Sequence, residues 1–315
     1  MKVLFLSAKL SSTNEISPII YSQGESLKKK GIDLNYFTMS GPGFYKYITG
    51  IKKLKKHLQN NNYDLIHAHY SYCGFVAIRQ KTIPVVTSLM GSDVISKWFS
   101  FKNIMDKIIL KYVLKYSVII SKTEEINKKL NTKNNTYVIP NGINFNLFKL
   151  LNKIRCREIL GLRNDKKYIL FAANPNRKEK NYILAKQTID LLNDKNIELL
   201  VVYNISQQDL VNYYNACDVL LVTSLYEGSI NVVKESLACN LPVISTDVGD
   251  VRERIHGIDN CFITTLDKND IAEKILITIK CNKKNNSREK LLNIKEDIIA
   301  DRIIQIYKNT LLNRN

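Results

Sequence analysis

Two glutamates, Glu227 and Glu235, stand with seven residues between them in the stretch SLYEGSINVVKES. An ionised carboxylate only accepts hydrogen bonds, so it suits pairs of neighbouring hydroxyl groups on a ligand. Gly228 follows the first acid directly, and a residue without a Cβ lets the backbone approach a ligand closely. The residue types and their spacing therefore indicate a binding site for a polar, hydroxyl-rich ligand. The alternative is a surface glutamate and a helix glutamate that have no shared ligand.

The elements around these acids read as strand, loop, helix and strand. VLLVTS is the strand, LYEGS the loop, NVVKESLAC the helix and NLPVISTD the next strand. The helix is predicted to begin near residues 229–231, so its first free N–H groups and the positive end of its dipole face the loop and form an anion site. Open parallel sheets bind ligands beyond the carboxyl ends of their strands, which is where this loop lies.

Short apolar runs alternate with amphipathic stretches along the whole chain, a pattern typical of βαβ units and a parallel sheet. One helical stretch begins at Pro18 and is predicted to stop at Gly31. The predicted strands span 3–7, 34–38, 64–69, 84–89, 117–121, 137–140, 168–173, 197–204, 219–224, 242–247 and 261–265.

The alternation pauses near Asn141 and Gly142 and across 152–167, then restarts. We therefore predict an α/β protein with two Rossmann-like, doubly wound parallel-sheet domains. The first domain is placed at 1–150 and the second at 151–293. A last helix, 294–315, is expected to pack back towards the first domain.

The composition is that of a globular protein with an excess of basic residues. The 315 residues are 45% hydrophobic, and 47 Lys and Arg against 29 Asp and Glu leave a net charge of +18. Such a surplus attracts polyanions, including nucleic acid, an anionic membrane or a phosphorylated substrate, although a compositional bias of the source genome explains it as well.

The remaining bulk features concern location. The six cysteines form no CxxC pair, which indicates free thiols in a reducing compartment. MKVLFLSAKL resembles a first buried strand more than a signal peptide, and no apolar run approaches the ~18 residues of a spanning helix. We expect a cytoplasmic protein.

The stretch TSLYEGSINVVKESLACNLPVISTDVGDVRERI (223–255) resembles the C-terminal signature of the retaining GT-B glycosyltransferases of family 4, in which two glutamates separated by seven residues precede a strand and a Gly-containing loop. Further blocks resemble the family in family order and extend the resemblance over essentially the whole chain: YDLIHAHY (63–70), VVTSLMGSD (85–93), SVIISKTEEINKKL (117–130), VIPNGIN (138–144) and ILFAANPNRKEKN (169–181).

The resemblance implies two domains facing a central cleft and a nucleotide-diphosphate sugar as donor, held mostly by the second domain. It assigns Glu235 to the ribose hydroxyls and Glu227 to the transferred sugar. It also implies that Arg177 and Lys180 neutralise the diphosphate and stabilise the leaving group, with no metal and no cofactor required. The donor's diphosphate or sugar would meet the backbone of Gly228, Ser229, Ile230, Asn231 and Val232.

The chain departs from the family pattern in several places. The usual Gly–Arg pair after the strand is Ala173-Asn174, which moves the basic pair downstream, and the glycine pair of the later loop reads Gly249-Asp250. A histidine common before the glycine of VVTSLMGSD is Met90 here.

Two residues of the first domain are further candidates for the cleft. His69 ends a strand, with a structural histidine as the alternative, and Asp93 follows a Gly–Ser pair.

Two segments of the first domain combine aromatic residues with lysines. They are 43–59 and 97–116, the second of which contains Trp98. Such segments suit an anionic membrane surface, here the cytoplasmic face of the inner membrane, and the alternative is an ordinary sheet-packing helix with a solvated lysine face.

The predicted function is a hexosyl-type, retaining glycosyltransferase that acts on a glycan or a polyprenyl-diphosphate-linked saccharide in surface polysaccharide assembly, such as capsule, exopolysaccharide or O-antigen. A sugar-nucleotide epimerase or a phosphorylase on the same architecture is the alternative among enzymes, and the glutamate pair argues against it. The alternative outside enzymes is a non-catalytic polyanion-binding protein. A nucleic-acid-binding protein would gather basic residues on one continuous face with base-stacking aromatics. The lysines here are spread along the whole chain, so we expect no nucleic-acid partner.

Overall fold

A computed structural model describes residues 1–9, 15–91, 101–130, 135–281 and 286–313, with side chains from residue 104 onwards in the third range. The chain divides into two units. The first comprises Met1–Gly142 together with Glu296–Asn315, and the second comprises Ile143–Lys295. Asp93 and Trp98, both singled out from the sequence, lie outside the described residues.

The first unit is built on a parallel sheet, which has six strands within the described residues, in the order β2-β1-β3-β4-β5-β6. These strands are β1 Lys2–Ala8, β2 Asp33–Met39, β3 Leu65–His69, β4 Val85–Ser88, β5 Val118–Ser121 and β6 Thr136–Val138. The inner residues of β1 and all of β3 are buried. Parallel strands are covered on both faces, which is why they read as unbroken apolar runs in the sequence.

Helices cover both faces of this sheet. They include α1 Pro18–Lys29, α2 Tyr45–Gln59, α3 Ser71–Ile78, α4 Phe101–Tyr116 and α5 Glu124–Leu130. Leu4 and Leu6 of β1 share one core cluster with Leu54 of α2, Val76 of α3 and Val113 of α4, so these three helices pack on the same face of the sheet.

The predicted stop of the first helix is confirmed. Gly31 has φ +86° directly after the last turn of α1, in the left-handed conformation with which many helices end.

The second unit repeats the doubly wound pattern with a parallel sheet of five strands among the described residues, in the order β11-β10-β9-β7-β8. These strands are β7 Lys167–Phe171, β8 Ile197–Val201, β9 Val219–Val222, β10 Val243–Thr246 and β11 Phe262–Thr264. Its helices include α6 Lys153–Ile159, α7 Tyr182–Leu192, α8 Gln207–Ala216, α9 Asn231–Ala238, α10 Val251–Ile255, α11 Lys268–Lys280 and α12 Ser287–Lys290, with 3-10 turns at Lys178–Lys180 and Leu292–Ile294.

The order of these five strands contains a switch point that matters for function. Residues 169–170 of β7 pair with residues 219–220 of β9, although β8 lies between the two strands in the sequence. α7 leads from β7 out to β8 on one side, and α9 leads from β9 to β10 on the other. The loops that leave the carboxyl ends of β7 and β9 therefore emerge side by side, where sheets of this kind bind ligands.

The last helix, α13 Glu296–Leu312, belongs to the first unit. Its Tyr307 is fully buried, and the Tyr307 hydroxyl lies 2.5 Å from Nδ1 of His67 on β3. Asp301 of α13 pairs with Lys30 at 2.6 Å. In the part of the chain that is described, no helix combines the length and the apolar composition needed to cross a bilayer.

Candidate functional site

Lys180 and Glu227 form an ion pair at the switch point of the second unit. Lys180 ends the 3-10 turn that follows β7, and Glu227 lies in the loop that follows β9. The side chains are only 15% and 16% exposed, and Ser224 donates a hydrogen bond of 2.8 Å to the same Oε1 of Glu227 that receives Lys180. The two residues lie in separate parts of the sequence pattern, and the strand order brings them into direct contact.

Backbone contacts hold these two loops together. The Leu225 N–H donates to the Glu179 carbonyl at 2.8 Å. The Thr223 hydroxyl lies 3.0 Å from the carbonyls of Lys180 and Asn181, and it can donate to either. The position of Lys180 opposite Glu227 is therefore set by the polypeptide backbone as well as by charge.

Arg177, the other predicted cation, lies at the surface. Its side chain is 58% exposed, and its Nε donates to Oε1 of Glu179 at 2.7 Å. Burial alone would raise the pKa of Glu179, but a backbone hydrogen bond and the Arg177 guanidinium lower it below its ordinary value. In this structure Arg177 makes an ion pair with a neighbour two residues along the chain and does not contact Glu227.

The loop after β9 and the loop after β10 approach each other more closely than side chains allow. Gly249 has φ +56°, and a Cβ on it would lie 2.1 Å from the carbonyl oxygen of Gly228. Only glycine fits here, because other residues clash with Gly228 and disfavour the left-handed conformation. The Gly228–Val232 segment, predicted to meet the donor, is shaped by this contact, and α9 begins at Asn231 within the predicted window.

A buried ion cluster lies at the start of α9. Asp250 accepts hydrogen bonds from the Ser229 hydroxyl at 3.0 Å, from Nε of Arg254 at 2.9 Å and from the Ile230 N–H at 3.3 Å. Nζ of Lys234 lies 3.7 Å from the same carboxylate, with both side chains no more than 1% exposed, and Lys234 also donates to Ser229. A carboxylate of the chain itself thus occupies part of the position where helix N–H groups favour an anion.

The charges of this cluster stabilise one another. Burial alone would raise the pKa of Asp250, but Lys234 and Arg254 hold it below its ordinary value. Burial lowers the pKa of Lys234, and Asp250 opposes that change. The sequence reasoning did not identify Lys234 or Arg254. The four-residue spacing of Asp250 and Arg254 in GDVRER is the signal that could have indicated an ion pair.

Glu235 is buried on α9 and directed towards α8. The Tyr214 hydroxyl donates to its Oε2 at 2.8 Å, and the Gln207 amide donates to its Oε1 at 3.2 Å. Burial raises the pKa of Glu235 to about 7, and the hydrogen bonds from Tyr214 and Gln207 and the nearby Lys234 oppose this rise. The carboxylate is thus oriented, and its charge changes near neutral pH. Tyr214 and Gln207 were not identified from the sequence.

His69 of the first unit ends β3 and is buried. Its ring stacks on His67 at 4.5 Å and meets Phe5 at 4.6 Å. Burial lowers the pKa of His69 to about 3, so the ring is neutral. Its Nε2 has no hydrogen-bond partner among the described residues. Within the same residues, no group of three or more His, Cys, Asp or Glu side chains could hold a metal ion.

Two family models match the chain. The model described as Glycosyltransferase Family 4 matches residues 20–147. The model described as Glycosyl transferases group 1 matches residues 182–280, which include both glutamates of the site.

Curated relatives extend these matches over most of the chain. It is 30% identical over 263 residues to an uncharacterized glycosyltransferase of Methanocaldococcus jannaschii, covering 73% of this chain and 70% of the relative. It is 24% identical over 303 residues to the N,N'-diacetylbacillosaminyl-diphospho-undecaprenol alpha-1,3-N-acetylgalactosaminyltransferase of Campylobacter jejuni, covering 82% and 81%. A putative teichuronic acid biosynthesis glycosyltransferase of Bacillus subtilis is 29% identical over 213 residues, covering 60% of this chain and 54% of that protein.

Solved structures share the fold. A sucrose-phosphate synthase from Thermosynechococcus elongatus superposes with a TM-score of 0.82 at 17% identity, covering 99% of this chain and 100% of the other. Anabaena HepE in complex with UDP gives a TM-score of 0.75 at 19% identity, covering 98% and 100%. Together with the two parallel sheets, these neighbours confirm the predicted GT-B fold class.

Proposed function

Because the chain belongs to the group 1 glycosyltransferases of family 4, we propose that it is a retaining enzyme that moves a sugar from a nucleotide-diphosphate donor to a saccharide carried on a polyprenyl diphosphate. Glycosyltransferase activity follows from the family, and the donor and acceptor classes are the proposal. The Campylobacter relative is named for an undecaprenol-linked acceptor, and the Anabaena neighbour binds UDP. The Bacillus relative supports a role in surface polysaccharide assembly.

The observation that carries the proposal is the Lys180–Glu227 ion pair between the loops that follow β7 and β9. When the bond between the sugar and the diphosphate breaks, its electron pair moves to the phosphate oxygen and negative charge grows there. A fixed cation in a partly desolvated site stabilises that charge more than water does. Lys180 supplies the cation, and its ion pair with Glu227 holds it in place. When the donor binds, hydroxyls of the sugar donate hydrogen bonds to the Glu227 carboxylate and replace Lys180 there.

The remaining groups of the site divide the donor between them. The Ile230 N–H is already bonded to Asp250. The diphosphate therefore binds Lys180 and the backbone of the neighbouring residues Gly228, Ser229, Asn231 and Val232. Arg177, which is held beside the site through Glu179, turns towards the diphosphate as a second cation. No metal ion or cofactor takes part.

Glu235 binds the ribose of the donor. Its two oxygens are oriented by Tyr214 and Gln207, and an ionised carboxylate accepts hydrogen bonds from two neighbouring hydroxyls. In the transfer step, the acceptor oxygen forms its bond to the anomeric carbon on the face that the diphosphate leaves. The acceptor proton passes to the departing phosphate oxygen, so that charge balances without a separate base. Residues 151–293 hold the donor in this proposal, and residues 1–150 hold the acceptor.

The test is a transfer assay with UDP-, GDP- and ADP-sugars and a synthetic undecaprenyl-diphosphate-linked monosaccharide. We expect one nucleotide class to bind in calorimetry and the product to keep the anomeric configuration of the donor in NMR. Glu227→Gln should abolish transfer, while Glu273→Gln, at an exposed position of α11, should not. Epimerised nucleotide sugar without transfer, or an inverted product, would contradict the proposal.

A further inference from the structure

Helix α4 exposes an apolar stripe to solvent. Ile104, Ile108 and Tyr116 are 58%, 56% and 50% exposed, and they recur at multiples of four residues along one side of the helix. The opposite side is buried, since Ile109 and Val113 belong to the core. Single exposed apolar residues are normal on a protein surface, but a periodic stripe of them on a helix indicates a surface that something covers.

Lysines accompany this stripe. Tyr112, 37% exposed, lies on the same stripe. Lys107, Lys111 and Lys115 are exposed and follow Ile104, Ile108 and Tyr112 by three residues, so they lie beside the stripe. Asp106 is the acidic residue of α4. Its carboxylate accepts a hydrogen bond from the Tyr72 hydroxyl, which occupies it within the protein.

Helix α2 has the same character. Phe44, Tyr45 and Ile48 at its start are 41%, 64% and 50% exposed. Further along, four lysines are exposed: Lys52, Lys53, Lys55 and Lys56. In sequence, α2 contains five lysines and no acidic residue, and α4 contains four lysines and one aspartate.

Tyr72 of α3 contacts both helices near their N-terminal ends. Its ring stacks on Tyr47 of α2 at 4.9 Å and meets Phe44 edge-on at 5.6 Å, while its hydroxyl bonds to Asp106 of α4. α2, α3 and α4 pack on one face of the sheet, so the outward sides of α2 and α4 both face away from it. We call Phe44, Tyr45, Ile48, Ile104, Ile108 and Tyr116, with the lysines beside them, the α2–α4 surface.

We propose that the α2–α4 surface binds an anionic lipid bilayer. Helices with apolar and aromatic groups on the outside and lysines beside them bury the rings and aliphatic side chains at headgroup depth, while the ammonium groups meet lipid phosphates. The excess of lysine over acidic residues on these helices complements an anionic leaflet. This inference depends on the exposed residues of the first unit alone and does not require the proposed donor or acceptor.

The test is flotation of the full-length chain with vesicles of phosphatidylcholine alone or of phosphatidylcholine with phosphatidylglycerol. We expect binding to the anionic vesicles only, weakening as salt is added. Two double variants probe the surface, I104S with I108S for the apolar part and K107Q with K111Q for the charge. K107Q with K111Q should lower the partition coefficient about tenfold or more, because a lysine near an anionic surface contributes on the order of a fivefold change. I104S with I108S should lower it as well, because the helix then buries less apolar area in the bilayer.

Matched controls separate this surface from the overall charge of +18. Ile159 and Ile183 of the second unit are 60% and 69% exposed, and I159S with I183S should leave flotation unchanged. Lys186 and Lys195 are exposed as well, so K186Q with K195Q removes the same charge elsewhere. The far-UV circular dichroism spectrum and the midpoint of urea unfolding should be equal in all variants, which shows that they fold.

Several outcomes would overturn the inference. These are no flotation of the unaltered chain, equal losses in the control variants, or surface variants that change only the oligomeric state in light scattering or only the binding of single-stranded RNA. Flotation without nucleotide binding would support the membrane surface and contradict the proposed function. Transfer of the sugar without flotation would support the proposed function and contradict the membrane surface.

Discussion

Lys180 and Glu227 make direct contact across two loops that 47 positions of sequence separate. The contact exists because β7 and β9 are neighbours in the sheet, so the residues that follow them meet at its carboxyl edge. A cation and a carboxylate that are both largely shielded from water form a charge pair, which a bound donor must open.

Replacing Lys180 tests whether it stabilises the leaving group. Lys180→Gln should lower kcat about 10²–10³-fold, the range found when one stabilising donor is lost from a transition state. The donor KM should change much less, because the charge develops during the reaction. Steady-state kinetics at saturating acceptor measures both constants. A raised KM with an unaltered kcat would assign Lys180 to ground-state binding.

Arg177 is a weaker contributor, because it must leave Glu179 and solvent to reach the donor. Arg177→Gln should lower kcat about tenfold, less than the loss of a preorganised donor. Arg163 is the matched control, since it is 68% exposed and also pairs with an acid two residues along the chain, Asp165. Arg163→Gln should leave kcat unchanged, and an equal effect of both substitutions would remove Arg177 from the reaction.

The affinity for the donor should depend on pH through Glu235. Burial raises the pKa of Glu235 to about 7, so the carboxylate is protonated below that pH and ionised above it. The ribose hydroxyls bind the ionised form more strongly, so the donor KM should fall as pH rises from about 6 to about 8. Glu235→Gln should raise KM and remove this dependence. Tyr214→Phe removes a hydrogen bond that lowers the pKa, so it should move the change in KM to higher pH. A profile that keeps its shape in Glu235→Gln would assign the titration to another group.

Gly249 should tolerate no side chain. Gly249→Ala places a Cβ 2.1 Å from the carbonyl oxygen of Gly228 and puts alanine at φ +56°. The left-handed conformation alone costs about 1–2 kcal/mol, and the clash must also displace the loop that carries Glu227. Gly161→Ala is the control, since Gly161 has φ +65° with nothing within 4 Å. We expect both variants to lose stability in urea unfolding and only Gly249→Ala to lose donor affinity in calorimetry.

The Asp250 cluster should matter for stability. Asp250→Asn leaves Lys234 and Arg254 buried without their carboxylate, and removing one partner of a buried pair costs about 3–5 kcal/mol. Asp247, three residues earlier, pairs with Arg252 at the surface and is 52% exposed. Asp247→Asn should therefore cost less than about 1 kcal/mol. Urea unfolding of both variants measures the difference, and similar losses would show that the buried cluster contributes no more than a surface pair.

Removal of metal ions should not affect turnover. Lys180, with Arg177 as the second cation, supplies the positive charge that a divalent ion would otherwise supply. We expect full activity after dialysis against EDTA, measured with the cognate donor and acceptor. A loss that Mg²⁺ or Mn²⁺ restores would contradict the metal-independent proposal.

Much of the fold could be predicted from the sequence because its signals are local. Each of the eleven predicted strands overlaps a strand of the structure, from 3–7 against β1 Lys2–Ala8 to 261–265 against β11 Phe262–Thr264. Buried parallel strands are apolar on both faces and therefore visible as short runs. The start of α9 at Asn231 also follows from local features, namely the glycine and small polar residues before an amphipathic stretch. The short helix α6 was missed, because its seven residues lie in a stretch rich in Asn and Lys with a weak apolar pattern.

The sequence by itself determined which residues could do chemistry, and the tertiary structure decided which of them meet. Glu227, Glu235 and Lys180 stand out through residue type and the motifs they match. Residue type and motifs do not predict how these residues pair. Only the structure shows that Lys180 pairs with Glu227, that Tyr214 orients Glu235, and that Lys234 is buried beside Asp250. Periodicity along one segment specifies a helix or a strand, but it carries no information on which strand lies next to which. These contacts exist only once β7, β9 and β10 are neighbours in a single sheet.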